Sequence, residues 1–243
     1  MGFFDWSALT EKGPDLDTNE DFVVAEPGYG VFVVADGMGG RPGGAQASRV
    51  AARAFMDALR RASAAARMDS SVLAAAVAAA NDAVRAIVAA EPLMDGMGTT
   101  LTAVVLSETR GKIVHVGDSR INLYSRRRLD QLTDDHTRAG DLIAKGFLGE
   151  EVAEQFPGAD VLTRAVGTRP TVQPDTYDLA LRRGDWLLLM TDGIYKALSR
   201  DRLESLVREH PNGGAAALAG AIMEAALAAG PEDDLSLVVV RQT

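Results

Sequence analysis

The stretches Thr99-Thr100-Leu101-Thr102-Ala103-Val104-Val105-Leu106, Lys112-Ile113-Val114-His115-Val116 and Ile121-Asn122-Leu123-Tyr124 follow one another with no helical segment between them. Each is rich in apolar and β-branched residues, and the joins are short: a turn containing Gly111, then Gly117-Asp118-Ser119. Strands joined so closely lie antiparallel, because a parallel pair needs a crossover of about a dozen residues. Upstream lie Phe22-Val23-Val24 and the run Val31 to Ala35, then an alanine-rich region from Ala45 to Ala90. That region breaks near Arg67-Met68-Asp69-Ser70, where Asp69 or Ser70 can cap a second helix, so it reads as an antiparallel helix pair. Downstream, residues 134–160 are polar and irregular with two short helical pieces. Strands return at Asp175–Leu181 and Trp186–Met190, helices at Arg200–Glu209 and Ala215–Ala229, and a last strand at Ser236–Arg241. Gly230-Pro231 is a helix stop. Strands and helices come in blocks rather than in βαβ alternation, which favours antiparallel sheets with helices on their outer faces. With no repeat and no linker, residues 1–243 read as one α+β domain.

The acids give the first functional signal. They occur in Asn19-Glu20-Asp21, Val33-Val34-Ala35-Asp36-Gly37, Leu188-Leu189-Met190-Thr191-Asp192-Gly193 and Asp233-Asp234-Leu235-Ser236-Leu237-Val238-Val239. An apolar strand ending on a carboxylate puts that charge at the rim of a core, where it needs a partner. Several such strands converging would need cations, and hard divalent ions take oxygen ligands of this kind. Each position also has an ordinary reading, as a strand-ending turn or a solvated loop. Asp234 reads equally as a ligand or as support for one.

Composition narrows the classes. The chain is 47% apolar and 24% charged, as a folded domain is, and its net charge of −9 argues against nucleic-acid or anionic-membrane binding. With no cysteine there is no disulfide, thiolate site or cysteine nucleophile. No apolar run is expected to approach a membrane span, no secretory leader is evident, and Trp6 stands where myristoylation needs serine or threonine. A cytoplasmic monomer is the expectation. The run Gly37 to Gly44 lacks the Gly-Lys-Ser/Thr ending of a nucleotide loop. Arg126-Arg127-Arg128 reads as a solvated hairpin turn, three charges being weak evidence of a binding patch in an acidic protein. His115 reads as a satisfied structural residue and His210 as a helix end.

Taken together, the segments resemble the metal-dependent protein phosphatases (PPM, or type 2C serine/threonine phosphatases) in their compact bacterial form. The matching pieces are Asn19-Glu20-Asp21, Ala35-Asp36-Gly37-Met38-Gly39-Gly40, Gly98-Thr99-Thr100, Val116-Gly117-Asp118-Ser119-Arg120, Leu132-Thr133-Asp134-Asp135-His136-Thr137, Leu162-Thr163-Arg164-Ala165-Val166-Gly167, Thr191-Asp192-Gly193 and Asp233-Asp234-Leu235-Ser236. Any one is common by chance; all of them, in the family's order, are not. The resemblance implies a four-layer sandwich, two central antiparallel β-sheets flanked by pairs of antiparallel α-helices, with metals at one end. It implies that Asp36 bridges two ions and that the Gly37 carbonyl binds one of them. Asp192 and Asp233 would complete one shell, with Glu20 and Asp21 serving the other directly or through water. Asp118 would help to hold a third, weaker ion with Asp192, and residues 134–160 would form a flap, which His136, in the family's Asp-His-Thr element, either helps to organise or adjoins with a local hydrogen-bonding role only.

The implied activity is hydrolysis of phosphoserine and phosphothreonine with Mn²⁺ or Mg²⁺, opposing a bacterial Ser/Thr kinase. Two ions about 3.5–4 Å apart can ionise a shared water for in-line attack on a phosphate. The alternatives are a same-fold phosphatase of a small regulatory protein of the anti-anti-sigma type, and a catalytically weak binding module. The sequence departs from the family twice. Leu16 stands where most members have a phosphate-binding arginine, and Arg41 where many bacterial members have histidine. Arg41 is therefore either a solvated loop residue or a relocated catalytic phosphate clamp.

Overall fold

The protein is described by a computed structural model covering residues 4–38, 43–147, 149, 152, 157–211 and 213–243. One sheet is built from β1 (Phe4–Glu11), β11 (Leu235–Gln242), β10 (Trp186–Met190), β7 (Arg120–Ser125) and β8 (Arg128–Gln131), in that spatial order. The other runs β2 (Asp21–Glu26), β3 (Val31–Met38), β5 (Leu101–Ser107), β6 (Arg110–Val116) and β9 (Asp175–Ala180), with the short β4 (Gly98–Thr99) added to β3. Every pairing is antiparallel.

Period-two patterning sorts the strand side chains into separate cores. Phe32 and Val34 of β3 meet Leu187 and Leu189 of β10 and Val238 and Val240 of β11 between the sheets. Their neighbours Val31, Val33 and Ala35 face α1 (Gly43–Arg60) and α2 (Ser70–Ala90). On the far side, Leu188, Met190, Leu237 and Val239 pack against α4 (Asp192–Ala197), α5 (Arg200–Glu209) and α6 (Ala215–Ala228). Strands buried on both faces read as nearly continuous apolar runs, which is why β3, β10 and β11 were legible. The sandwich has the expected four layers.

Asp69 is the cap of α2, accepting the Ser71 N–H at 2.7 Å. By length and composition alone α2 could cross a bilayer, which corrects the expectation that no run approaches a span. Its Leu73, Ala76, Val77, Ala80 and Val84 are instead buried against α1 and the sheet. Two elements were not anticipated. β1 is a half-buried edge strand of mixed polarity, lying on β11 from Phe4↔Gln242 to Glu11↔Leu235. The residues after Thr191 form the short helix α4 rather than a simple turn. Of the helical pieces expected in 134–160, α3 (Arg138–Ala144) is observed, capped by Thr137; much of the rest lies outside the described residues.

Candidate active site

The ends of β3, β6 and β10 and the start of β11 open onto one cleft. Its lining includes Leu16, Glu20, Asp36, Gly37, Asp118, Asp192, Lys196, Asp233 and Asp234, with Asp160 and Leu162 from the flap side. Asp36 sits near the end of β3, and its backbone is fixed by three bonds. The Thr100 N–H and the Thr99 hydroxyl each donate to its carbonyl at 2.8 Å, while its own N–H donates to Thr100 Oγ1 at 2.8 Å. Thr100 Oγ1 also lies 2.8 Å from Ser119 Oγ, which ties the Asp36 strand to the turn carrying Asp118.

Glycine is required twice here. A Cβ on Gly37 would stand 2.1 Å from the Gly44 carbonyl oxygen and 2.6 Å from that of Glu20. A Cβ on Gly44 would stand 2.1 Å from Glu20 Oε2 and 2.9 Å from the Gly37 carbonyl oxygen. The two glycines thus leave the Glu20 carboxylate and the Gly37 carbonyl side by side.

Asp233 and Asp234 divide the work. Asp234, 3% exposed, accepts the Gly13 N–H at 2.9 Å on one oxygen and the Glu20 N–H at 2.7 Å on the other. It is support rather than a free ligand. Asp233 reaches into the cleft while one of its oxygens accepts the Asp234 N–H. Asp21 pairs with Asp36 across β2 and β3 and turns inward, accepting the Thr191 hydroxyl at 2.7 Å.

Burial is the first cause of unusual acidity here. It raises Asp36 well above the ordinary carboxylate range, reinforced by Asp21, Asp192, Asp118 and Asp233. Burial likewise lifts Asp118 to about 7, with Asp192 and Asp135 adding to it and Lys196 opposing. Asp21 rises to about 8 by burial, although Thr191 and Ser236 donate hydrogen bonds that work against the shift. Asp233 is also raised, by burial and then Asp192.

A set of hard oxygen donors whose ionisation is resisted by burial and mutual repulsion is suited to divalent cations. Asp192 adds a further sign: its Oδ1 is buried with no hydrogen-bond partner. Its Oδ2 accepts the Lys196 ammonium at 2.5 Å, one helical turn along α4. Lys196 was not singled out by the sequence, because an i,i+4 pairing with Asp192 requires that residues 192–197 be helical. Among the described residues, no three acids already close on a single point. Arg41 lies outside the described residues. Leu16 lines the cleft, so it faces the site rather than the core.

A partly buried relay braces the Asp118 turn. The Gly117 N–H donates to His136 Nδ1 at 3.1 Å, and His136 Nε2 lies 3.0 Å from Asp175, which Arg164 also grips at 2.6 Å. His115 bonds Thr102 and the Asp134 carbonyl, and burial lowers it to about 3, so it is a neutral structural residue. His136, also lowered by burial, links the turn to β9. His210 ends α5 with Nδ1 2.8 Å from the Leu206 carbonyl.

Residues 15–229 match the protein-family model described as Protein phosphatase 2C. The serine/threonine phosphatase stp of Listeria monocytogenes is 32% identical over 180 residues, covering 73% of this chain and 71% of that protein. The crystal structure of the Mycobacterium tuberculosis serine/threonine phosphatase PstP/Ppp superposes with a TM-score of 0.88 at 32% identity, covering 98% of each chain. The catalytic domain of PstP in complex with two manganese ions gives a TM-score of 0.85 at 31% identity, over 98% of this chain and 97% of that one.

Proposed function

The chain belongs to the protein phosphatase 2C family, and on that premise we infer that the cleft hydrolyses phosphoserine and phosphothreonine in proteins. It is a metal-dependent serine/threonine protein phosphatase. The observation that carries the reading is the convergence of Asp36, Asp118, Asp192 and Asp233 on one cleft beside Glu20 and the Gly37 carbonyl. The relative solved with two manganese ions supports Mn²⁺ as the working metal. Mg²⁺ and a third ion near Asp118 are extensions of that reading, as are a bacterial Ser/Thr kinase as functional opponent, a monomeric state and a cytoplasmic location. The relatives' names favour this reading over the small-regulatory-protein and binding-module alternatives.

The proposed roles are those the family resemblance implies, and the residues gathered in the cleft are compatible with them. Asp36 would lie between two ions, Asp192 and Asp233 would hold one, and Glu20 and the Gly37 carbonyl the other. Bound divalent ions would supply the charge that polarises the phosphoryl group and lowers the pKa of the attacking water. Thr99 and Thr100 hold the Asp36 backbone in place, and Asp234 seats Glu20. The apolar face of Leu16 offers no charge to the substrate, so the phosphate must be met from elsewhere.

Purified protein should hydrolyse p-nitrophenyl phosphate with Mn²⁺ and lose that activity in excess chelator; full turnover in chelator would refute the mechanism. Arg41 is proposed as the phosphate contact. Arg41→Ala should raise KM for a phosphopeptide with little change in Mn²⁺ affinity, by an amount matching about 1.5–3 kcal/mol. Unchanged kinetics would make Arg41 a solvated residue.

A further inference from the structure

At the opposite end of the sandwich the charge reverses. The β7–β8 hairpin turns through Arg126-Arg127, with Ser125 paired to Arg128, and Arg182 and Arg183 lie in the loop from β9 to β10. Between these turns opens a cleft of about 520 Å³ lined by Leu123, Ser125, Arg126, Arg128, Asp130, Ala180, Arg182 and Asp185. Its acids are already engaged. Asp130 holds Arg128 at 2.8 Å and Arg200 at 3.2 Å, and Asp185 accepts the Arg182 N–H at 2.8 Å. Among the described residues, the guanidinium groups of Arg126, Arg127, Arg182 and Arg183 have no hydrogen-bond or ion-pair partner.

The turn itself argues that these arginines are not fillers. Arg126 and Arg127 have φ of 53° and 66°, the left-handed conformation that a two-residue type I′ hairpin imposes on both central positions. Asn-Gly satisfies that turn without strain, whereas a long side chain in this region costs about 1–2 kcal/mol per residue. Both arginine side chains are exposed, so packing does not call for them. Local strain without a folding reason points to a role in binding.

We propose that this cleft docks an acidic segment, bearing carboxylates or phosphates, of a protein on which the phosphatase acts. Planar guanidinium forks are suited to either anion. The surrounding protein is acidic, at net −9, so a short anionic segment fits a local basic island better than an extended polyanion, whose further charges would meet repulsion. β7 and β10 run between the two ends, Arg120↔Met190 lying toward the carboxylates and Tyr124↔Trp186 toward the arginines. The sites are thus separated by roughly 15–20 Å. A substrate with both groups would gain effective concentration at the catalytic cleft without a new contact there. That consequence rests on the phosphatase reading; the docking cleft does not.

The test is a variant that cannot be dismissed as misfolded: Arg126→Asn with Arg127→Gly and Arg182→Gln, which installs the preferred turn sequence. Its melting temperature should equal or exceed that of the parent. In excess chelator, which leaves the catalytic cleft without its ions, fluorescein-labelled peptides of about eight residues, one of glutamates and one with phosphoserines, should bind the parent and bind the variant at least about tenfold more weakly. Hydrolysis of p-nitrophenyl phosphate should be unchanged, while KM rises about fivefold for a phosphothreonine peptide carrying a glutamate tract about ten residues away. A matched peptide without the tract should show no difference. Equal peptide binding by parent and variant overturns the proposal. So does binding of phosphatidylserine vesicles or duplex DNA, but not of the peptides, through these arginines. Absence of p-nitrophenyl phosphate hydrolysis by both proteins would instead refute the phosphatase reading, leaving the peptide measurement to decide the cleft.

Discussion

Replacing Asp36 by asparagine should reduce turnover more than about a hundredfold while making the metal-free protein more stable at neutral pH. An amide lacks the charge to sit between two cations, so Mn²⁺ occupancy should also fall. The stability gain follows from linkage. Burial and its acidic neighbours raise Asp36 well above the ordinary carboxylate range in the folded state. A raised carboxyl binds its proton more tightly folded than unfolded, so metal-free stability falls as pH climbs from the unfolded value toward the folded one. The same sign holds for Asp118, raised to about 7, and for Asp21, raised to about 8. Metal-free wild type should therefore lose thermal stability between about pH 4 and 8, and Asp36→Asn should lose less. Mn²⁺ should lift the melting temperature of the wild type more at pH 8 than at pH 5, since ions bind the deprotonated site. Calorimetry at several pH values, with chelator and with Mn²⁺, reads all of this. A variant less stable than wild type at pH 8 without metal would contradict the electrostatic account.

Asp234→Ala should be the most damaging change to the fold among the site acids. Truncation strands two N–H groups, that of buried Gly13 and that of half-buried Glu20, which now donate at 2.9 and 2.7 Å. Each orphaned donor costs about 1–3 kcal/mol, so a loss of about 2–5 kcal/mol is expected. At this chain length that corresponds to a drop of roughly 5–15 °C in melting temperature. Because Glu20 loses its seat, Mn²⁺ affinity should fall as well, although Asp234 itself is not proposed to bind the ion. A chemical-denaturation midpoint equal to wild type would refute this role.

Much of this was legible in the residues. Strands buried on both faces, such as β3 and β10, announce themselves as apolar runs, and β3 and β10 end at acids that the resemblance assigned. β1 was missed because a half-buried edge strand, Phe-Asp-Trp-Ser-Ala-Leu-Thr-Glu, carries no such run. α4 was hidden because Asp192-Gly193 has the look of a turn, and the pairing of Lys196 with Asp192 was hidden with it. The contacts of Thr100 to Asp36, Thr191 to Asp21 and His136 to Gly117 depend on register between distant segments. Nothing in the local sequence encodes them.

The Asp234 bonds also bear on when this enzyme becomes an enzyme. They span separations of 221 and 214 residues, and β1 zips onto β11, so the first and last parts of the chain meet at the site. During synthesis the early segments, with Glu20 and Asp36, leave the ribosome long before Asp192 and Asp233 exist. Contacts this distant in sequence are slow to form, because the intervening chain must be closed first. A nascent chain that has not reached Asp234, or one clipped before it, therefore lacks part of the acidic set and the bonds that seat Glu20.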